Sequence, residues 1–393
     1  MSRALIVGAG IGGDALAVML DRQGWDVTVV EIAPALRSGG QTVDLRGDSR
    51  EVLAELGLLD ECLAQLVEQR GLAWIDDTGR HLAEMPVEAF GGAGFVSAEE
   101  LLRTDLARTL HAACGPRTEH RFGDTVTDIA PHDAGVRVAF RNHAPEDYDL
   151  IVGADGAHSR VRGLVFGPEE QFRRALGLAH AWFTLREEPA TPGLDGWFLM
   201  HNAVGSRVVE ARPGHPGEQE VGFTFPAESL PPRGDQAARF ALLDGVFSDT
   251  GWRTRELLAA ARTADDFALD TYDQIVMDIW YDGRVVLLGD SAWCASPLSG
   301  LGTALALHGA APLARVLGDR TPERMDAAFA AYEASMRPRV AAAQRMYPGR
   351  VRSFAPRTRR GIRTMLLVMR MLQSRAVAGL IGTGIAAYGR PQP

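Results

Sequence analysis

The chain contains 393 residues, 46% of them hydrophobic, a length that predicts two interleaved or consecutive structural units with room for a buried cofactor pocket. With 23% charged residues the composition is that of a globular protein, which excludes wholesale disorder. The 41 basic and 50 acidic residues give a net charge of −9, and this balance argues against a nucleic-acid partner, which would require a basic face.

A strand, a tight turn, a helix and a second strand are predicted at the start of the chain. The apolar run at residues 4–7 is typical of a strand buried on both faces of a parallel sheet. Residues 8–13 form the turn, residues 15–23 carry helical periodicity, and Gly24 ends the helix. The β-branched run at residues 25–31 predicts the second strand.

Further along, helices are predicted over residues 49–56 and 98–113, and strands over 136–140 and 150–152. Between about residues 177 and 225 the pattern changes to alternating runs rich in aromatic residues. Such alternation is typical of a mostly antiparallel sheet, which would form a second domain.

The last part of the chain begins with a buried strand at residues 285–288, followed by a Gly-rich turn and a helix at 303–317. From residue 358 to 375 the sequence predicts a basic amphipathic helix. Such a helix either packs across both domains or lies on a membrane surface. Packing is favoured because no aromatic interface anchor accompanies the arginines.

The cysteines and the first residues of the chain indicate the cellular compartment in which the protein is expected. Cys62, Cys114 and Cys294 are widely separated, so neither a disulfide framework nor a zinc spacing is predicted, and a reducing cytoplasm is expected. The chain runs straight into a strand, without the pattern of a secretory signal. Its apolar stretches are shorter than the ~18 residues of a membrane span, so no transmembrane segment is expected.

The first motif places G-x-G-x-x-G at Gly8, Gly10 and Gly13, after a strand and at the start of a helix. Glycine here makes the tight turn, admits a pyrophosphate against the backbone and lets helix and strand pack closely. Glu31 ends the second strand, where a carboxylate accepts hydrogen bonds from an adenosine ribose and repels a 2′-phosphate. The motif therefore predicts a bound dinucleotide, FAD or NAD rather than NADP.

Two further Gly-Asp motifs follow predicted strands. Asp155 lies in Gly-Ala-Asp-Gly after the strand at 150–152, and Asp290 lies in Gly-Asp-Ser-Ala after the strand at 285–288. Ligands gather at such strand ends in α/β sheets. The Gly-rich helix start at 297–302 can place N–H groups against the electron-rich edge of a flavin. Taken singly, each motif is equally well explained as a turn with a helix cap.

Together and in this order, the three motifs resemble the class A flavoprotein monooxygenases, the para-hydroxybenzoate hydroxylase family, and within it the tetracycline-inactivating branch. The resemblance spans nearly the whole chain and is weakest between about residues 167 and 267. It implies an α/β fold, with a Rossmann-like FAD-binding domain, an interleaved and mostly antiparallel β-sheet substrate domain, and a C-terminal bridging helix. It also implies NAD(P)H as a transient co-substrate.

Two flanking segments extend the resemblance. Residues 39–45 are similar to the branch's G-G-x-x-x-D-L stretch, and residues 101–106 are similar to its L-L-R-x-D-L helix, whose arginine would otherwise be interpreted as a surface residue. For the adenosine half of the cofactor, the resemblance implies contacts of Gly8, Gly10 and Gly13 with the pyrophosphate and of Glu31 with the ribose. It implies that Arg37 binds the nicotinamide, that Asp44 contacts FAD, and that Asp155 lies in a motif associated with FAD and NAD(P)H. At the flavin end it implies Arg103 near the flavin, Asp290 at the ribityl chain, and Pro297, Gly300, Leu301 and Gly302 along the isoalloxazine.

One position departs from the family. Many relatives carry histidine shortly after the Gly-Asp aspartate, where this chain has Trp293. The tryptophan is either a bulky apolar surface near the flavin, suited to a large flat substrate, or a residue packed in the core.

The predicted second domain supplies candidate pocket walls, but alternation sends only half of them to either face. His180, His201 and Arg212 could orient a polar substrate group, although single residues of this kind are usually surface or satisfied core residues. No metal-ligand spacing and no G-x-S-x-G turn is present. The aromatic and apolar candidates are Trp182, Phe183, Trp197, Phe198, Met200, Phe223 and Phe225.

The resemblance implies a single-component monooxygenase that uses NAD(P)H and O₂ to hydroxylate an aromatic, polycyclic or polyketide-like small molecule through a flavin C4a-hydroperoxide. No catalytic side chain is predicted, because the flavin carries the chemistry while Pro297 and Gly300 shape the peroxide site. The alternatives are a non-oxygenating FAD reductase or oxidase, a flavin-binding protein without turnover, and a membrane-recruited protein. The sequence does not distinguish NADH from NADPH as the reductant.

The predicted domain boundaries complete the sequence-based description. They are residues 1–170 for the first part of the FAD-binding domain, with 70–97 joining the substrate domain, 171–267 for the substrate domain, 268–345 for the second part of the FAD-binding domain, and 346–393 for the C-terminal helix.

Overall fold

The computed structural model describes residues 2–37, 39, 41–45, 47–89, 96–188, 191–318, 325–346 and 349–372. The predicted end of the tail helix, residues 373–375, and Gly40 of the predicted flavin loop lie outside the described residues. The strands are β1 (Arg3–Val7), β2 (Asp26–Glu31), β3 (Thr42–Asp44), β4 (Gly71–Ile75), β5 (His81–Pro86), β6 (Glu100–Leu102), β7 (Thr118–Phe122), β8 (Val126–His132), β9 (Gly135–Phe140), β10 (Glu146–Tyr148), β11 (Leu150–Gly153), β12 (Arg173–Arg186), β13 (Trp197–Ala203), β14 (Arg207–Pro213), β15 (Glu218–Pro226), β16 (Ala268–Ile275), β17 (Tyr281–Asp282) and β18 (Val285–Leu287). The α-helices are α1 (Ile11–Arg22), α2 (Asp48–Glu55), α3 (Leu59–Leu63), α4 (Arg103–Ala112), α5 (Arg160–Val165), α6 (Gln236–Phe247), α7 (Thr254–Ala261), α8 (Asp290–Trp293), α9 (Gly302–Val316), α10 (Met325–Gln344), α11 (Arg350–Phe354) and α12 (Arg359–Leu372).

A six-stranded sheet forms the centre of the predicted FAD-binding domain, in the order β17-β18-β11-β1-β2-β7. All neighbours pair in parallel except β17 and β18. The inner strands are buried apolar runs, as a parallel sheet with helices on its faces requires. Because β1, β11 and β18 run in the same direction, the loops that follow them meet at one edge of the sheet.

A seven-stranded sheet forms the second layer, in the order β16-β12-β15-β14-β13-β4-β5. All its neighbours are antiparallel except β13 and β4. Along β12 and β15 the apolar side chains of Phe183, Phe223 and Phe225 point to one face, where α6 and α7 cover them. Polar residues occupy the alternate positions and therefore the opposite face. This sheet also takes strands from residues 71–86 and 268–275, on either side of the central segment.

The helix predicted over residues 98–113 is wrong in its first part. Residues 100–102 form β6, which pairs antiparallel with β3, and the helix begins only at Arg103. The side chains of Leu101 and Leu102 are buried, so this short apolar run takes the extended form that reaches the core. The tendency of the local sequence to form a helix is overridden by strand pairing.

The C-terminal segment contacts both layers, as the predicted bridging helix requires. Arg350 at the start of α11 donates a hydrogen bond to the Leu298 carbonyl, 2.9 Å away, on the first layer. Arg370 of α12 donates to the Leu82 carbonyl of the second sheet at 2.6 Å, and Met365 packs into the apolar cluster beside that sheet. Within the described part of the chain, no helix combines the length and the apolar character needed to cross a membrane.

Candidate functional site

The three Gly-rich motifs contact one another at the carboxyl edge of the parallel sheet. A Cβ added to Gly8 would overlap the Ala154 carbonyl, and one added to Gly12 would touch Ala306 of α9 at 3.5 Å. The Gly156 N–H donates to the Ser291 hydroxyl at 2.9 Å. Segments distant in sequence, at residues 8–13, 153–156 and 289–302, therefore build a single site.

The glycine loop has the shape of a dinucleotide cradle. A Cβ on Gly13 would overlap the Gly8 carbonyl, so glycine is needed for the close packing of helix and strand. Gly10, by contrast, faces open space, with no atom within 4 Å of an added Cβ, and as the N-cap of α1 it provides no side-chain cap. This open approach to an uncapped helix N-terminus suits a pyrophosphate.

Glu31 is fixed beside this loop. Its Oε2 accepts a hydrogen bond from the Ala9 N–H at 3.0 Å, and its Oε1 accepts one from the Ala33 N–H at 2.9 Å. Each carboxylate oxygen keeps further acceptor capacity. The side chain is only partly buried, so it can accept hydrogen bonds from a ribose next to the glycine loop.

Arg103 begins α4 and lies in the cleft between Glu31 and Asp290, the residues predicted at the ribose and ribityl ends of the site. Its side chain retains accessible surface, yet burial lowers the pKa of the guanidinium, and the neighbouring Arg37 lowers it further. The carboxylates of Asp290 and Glu31 raise that pKa and partly offset the shift. The structure therefore brings four of the predicted cofactor-binding residues around one cleft.

The two motif aspartates differ in their surroundings. Both Asp155 oxygens are occupied within the protein: Oδ1 accepts from the Ser159 and Ser291 hydroxyls, at 2.5 and 3.2 Å. Oδ2 accepts from the backbone N–H groups of Arg160 and Val161, at 2.6 and 3.2 Å. Asp155 therefore joins the start of α5 to α8, and a direct contact with a cofactor stays a prediction.

Asp290 begins α8 after Gly289, which has a φ of +68°. Its carboxylate lies next to the start of α9, since a Cβ on Gly302 would be 4.0 Å from Oδ1. Burial raises the pKa of Asp290, and Arg103 opposes that shift. Leu301 at the N-cap of α9 is exposed, and α9 has no side-chain cap. Asp290 and the uncapped N-terminus of α9 thus face the same cleft.

The loop that joins α8 to α9 turns at Gly300. A short 3₁₀ helix at Pro297–Ser299 ends at this glycine, which adopts a left-handed conformation with a φ of +68°. Pro297 and Gly300 are both exposed, as expected for residues along a cofactor face. Asp44 on β3 and Arg37 after β2 are on the neighbouring segment; their predicted contacts with FAD and the nicotinamide stay predictions.

Trp293 belongs to the core. Its ring centroid lies 4.5 Å from that of Trp280 and 5.9 Å from that of Tyr332, and the side chain is 1% exposed. A Cβ on Gly309 would lie only 2.9 Å from the Trp293 ring, so α9 is packed directly against it. Of the two interpretations left open by the sequence, the structure supports the packed residue.

A group of ionisable residues lies on the side of the seven-stranded sheet that faces away from α6 and α7. We call this group the polar face; its members are His180, Glu210, Arg212, Glu220 and Tyr272. The His180 and Glu210 side chains reach over Gly222 of the strand between them, leaving 3.7 Å from His180 Nε2 to Glu210 Oε1. A Cβ on Gly222 would lie 2.6 Å from both side chains, so glycine is needed for their approach.

The polar face meets the two-stranded sheet that β3 and β6 form beside the six-stranded sheet. The His180 Nε2 atom lies 2.6 Å from Gln41 Nε2, just before β3, and its Nδ1 lies 2.8 Å from the Thr224 hydroxyl. Arg212 pairs with Glu100 of β6, which also accepts from the Thr42 hydroxyl at 2.5 Å. The polar face is therefore adjacent to the predicted FAD-contacting segment that ends at Asp44.

Burial shifts the pKa values on the polar face. It raises the pKa of Glu210 to about 7, against the opposing charge of Arg212, and it raises the pKa of Glu220 to about 7. Burial lowers the pKa of His180 to about 3, so this imidazole is neutral at pH 7. Carboxyl groups poised near neutrality beside a neutral imidazole can accept or release a proton.

Sequence reasoning named His180 and Arg212 but missed Glu210, Glu220 and Tyr272. Single polar residues within strands were expected to be surface or satisfied core residues. The signal that could have found them is alternation: Glu210 and Arg212, and likewise Glu220, Gly222 and Thr224, recur at every second position of otherwise buried strands. Phe183, Phe223 and Phe225 pack under α6 and α7, and His201 is on that opposite face as well.

His158, next to the Asp155 motif, links the two layers. Its Nδ1 lies 3.0 Å from Glu169 and its Nε2 2.9 Å from Asp270 of β16. These hydrogen bonds raise its pKa from 6.5 to about 9. The added stability is therefore complete below pH 6.5 and lost as pH rises through 9.

Replacing His158 by glutamine should remove this pH-dependent contribution. In urea unfolding, the variant should be less stable than the parent below pH 6.5, and the difference should disappear above pH 9. Titration of Glu210 and Glu220 changes the free energy of unfolding of the parent and of the variant by the same amount, so it cancels in the difference between them. A difference that is constant with pH would contradict the charged state of His158.

Known proteins are similar to this chain in sequence and in fold. Residues 1–346 match the family described as FAD binding domain. The uncharacterized protein Rv1260 of Mycobacterium tuberculosis is 39% identical over 317 residues, covering 80% of this chain and 84% of that protein. The FAD-dependent monooxygenase asL4 of Sarocladium schorii is 35% identical over 321 residues, covering 79% and 74%. The crystal structure of the tetracycline destructase Tet(51) superposes with a TM-score of 0.79 at 28% identity, covering 95% and 98%.

Proposed function

Because the chain belongs to the FAD binding domain family and is a FAD-dependent monooxygenase, we propose that it hydroxylates an electron-rich aromatic or polyketide-like small molecule, with NAD(P)H as reductant. The observation that carries the substrate class is the polar face, a set of mostly buried ionisable side chains beside β3 and β6, where the predicted FAD contact Asp44 lies. A substrate that carries hydroxyl groups could hydrogen-bond to the Glu210 carboxyl group of this face, whereas a purely apolar one could not.

In this proposal the residues along the carboxyl edge of the parallel sheet would hold FAD. Gly8, Gly10 and Gly13 admit its pyrophosphate, and Glu31 accepts hydrogen bonds from the ribose. When bound, the flavin supplies electron transfer from NAD(P)H and the activation of O₂.

The flavin end of the cleft is assigned to Asp290 and to the start of α9. Asp290 would accept hydrogen bonds from the ribityl chain, and the uncapped N-terminus of α9 would stabilise negative charge on a flavin ring held there. Pro297 and Gly300 shape the space on that side, and the exposed Leu301 side chain excludes water from it.

The polar face positions and activates the substrate. With a pKa near 7, Glu210 can take a proton from a phenolic hydroxyl, which makes the ring more electron-rich at the position to be oxidised. Arg212 favours the carboxylate form of Glu210, which is the form that accepts this proton. Neutral His180, whose ring nitrogens face Gln41 and Thr224, borders Glu210 across Gly222 and helps to position it. Trp182, which stacks on His180 at 5.8 Å between ring centroids, provides an adjoining apolar surface.

The test is a screen of hydroxylated aromatic and polycyclic compounds against the FAD-loaded protein. We expect at least one compound to stimulate NAD(P)H oxidation, and mass spectrometry to find a product with one added oxygen atom that carries label from ¹⁸O₂. NAD(P)H oxidation that reduces the compound without adding oxygen would instead identify a non-oxygenating oxidoreductase and overturn the proposal.

Alanine in place of Gly222 should impair use of the substrate and leave FAD binding unchanged. The new Cβ would displace His180 and Glu210, which costs about 1–3 kcal/mol and should lower kcat/KM roughly 10- to 100-fold. The matched control is Gly245→Ala on α6, behind the opposite face of the sheet, where a Cβ meets no atom within 4 Å. Unchanged kcat/KM in the Gly222 variant would mean that the polar face does not contact the substrate.

A further inference from the structure

Three potential metal ligands from three separate elements converge beside the glycine loop. Asp14 is in the first turn of α1, His111 in the last turn of α4, and His120 on β7. One ligand atom from each of them lies within 4.8 Å of the other two. His120 Nε2 is 3.0 Å from Asp14 Oδ1, and His111 Nδ1 is 3.8 Å from Asp14 Oδ2.

The hydrogen bonds of the protein leave part of this cluster unsatisfied. Asp14 is completely buried, and its Oδ2 has no hydrogen-bond partner. The Nδ1 atom of His111 is also buried and without one, although it faces that oxygen. A simple ion pair between Asp14 and His120 would account for Oδ1 and Nε2 alone. A buried carboxylate oxygen left in this state is costly unless a further group binds it.

The spacing of the two facing atoms indicates what that group is. At 3.8 Å, Oδ2 and Nδ1 are too far apart for a hydrogen bond. They are close to the separation of about 3.3 Å between two ligands of a tetrahedral ion whose ligand bonds are about 2.0–2.1 Å long. Small side-chain rotations would bring all three atoms to one centre.

The surroundings allow an ion to enter and be held. The His111 and His120 rings lie 4.1 Å apart between centroids, and the Phe122 ring lies 5.8 and 6.0 Å from them, forming an apolar wall. The His111 side chain is 32% exposed, which leaves a path from solvent.

We propose that Asp14, His111 and His120 bind one divalent transition-metal ion of the zinc type. Two imidazole nitrogens and one carboxylate oxygen are the donor set that zinc and its neighbours favour, with water completing the coordination. Local sequence spacing could not have predicted this site, because Asp14 is 97 residues before the first histidine and the two histidines are on different elements.

A bound ion would hold α1, α4 and β7 together at the point where the glycine loop begins its helix. Asp14 directly follows Gly13, so the ion fixes the first turn of the helix whose N-terminus faces the cofactor cleft. Because the unfolded chain does not keep these three groups together, binding stabilises the folded protein and should raise its Tm by a few degrees at saturating zinc.

The test uses the full-length, FAD-loaded protein without an affinity tag, treated with a chelator and then titrated with ZnCl₂ by isothermal calorimetry. We expect one zinc ion per chain with a micromolar or lower Kd. His111→Ala and His120→Ala should each weaken binding at least about 10-fold and abolish the rise in Tm. The matched control is His143→Ala, which removes a histidine paired with the buried Asp124; among the described residues this pair belongs to no group of three potential metal ligands.

Two results would overturn the proposal. One is that the parent protein binds no zinc at micromolar concentrations, in which case the cluster is a buried His–Asp pair alone. The other is that both alanine variants bind zinc as tightly as the parent. FAD content and the Tm in chelator verify that the variants are folded; if His120→Ala does not fold, His111→Ala still decides the result, since it removes no hydrogen bond of this cluster.

Discussion

Alanine in place of Gly10 is expected to lower the affinity for FAD roughly 10- to 100-fold without lowering the stability of the FAD-free protein. The backbone at Gly10 has a φ of −86°, which alanine adopts freely, and an added Cβ meets no protein atom within 4 Å. The space that it would fill is the approach to the N-terminus of α1, where the pyrophosphate is expected to lie.

Two other glycines provide the comparison. Gly13→Ala should damage the fold itself, because its Cβ would overlap the Gly8 carbonyl and the backbone must move. Gly163→Ala on α5 is the neutral control, since its Cβ also meets no atom within 4 Å and alanine favours a helix. FAD affinity is measured by flavin fluorescence quenching, and stability by urea unfolding of the FAD-free proteins.

The result separates steric exclusion of the cofactor from damage to the fold. If Gly10→Ala bound FAD as tightly as Gly163→Ala does, the pyrophosphate would not approach the backbone at Gly10. The assignment of the glycine loop would then be wrong, although the family membership of the chain would stand.

The parallel sheet was predictable because its strands satisfy local rules. The apolar runs of β1, β11 and β18 are each followed by a turn whose glycines require particular conformations, so strand, loop and motif were visible together. The start of α4 was not predictable, because helical tendency continues through residues that pair with β3 only in the folded chain. Strand pairing between distant segments cannot be recognised from the local sequence pattern.

The same difference separates the two halves of the candidate site. Gly10 and Asp290 belong to short motifs, so the sequence alone indicated them as candidates. Glu210 and His180 are on different strands and approach each other only across Gly222, so no spacing in the sequence joins them. Their pKa shifts arise from burial between two layers, which depends on the whole fold.

The aspartates of the two Gly-Asp motifs should respond differently to substitution by alanine. Asp290→Ala is expected to weaken FAD binding about 10- to 100-fold, because a hydrogen bond to a charged group contributes about 1.5–3 kcal/mol. The effect on the fold should be smaller, since Asp290 faces the cleft. Asp155→Ala should instead lower the free energy of unfolding by at least about 2 kcal/mol, because it leaves two hydroxyls and two backbone N–H groups without their acceptor.

Both effects can be measured on the same preparations. FAD retained through gel filtration reports cofactor binding, and urea unfolding of the FAD-free proteins reports the fold. Asp282→Ala, an exposed aspartate on the neighbouring β17, is the control for loss of one negative charge near this edge of the sheet. An Asp290→Ala protein that stays fully yellow would exclude the ribityl contact. An Asp155→Ala protein that is as stable as the parent but colourless would move the cofactor contact to Asp155, because the hydrogen bonds seen within the protein would then contribute little to folding.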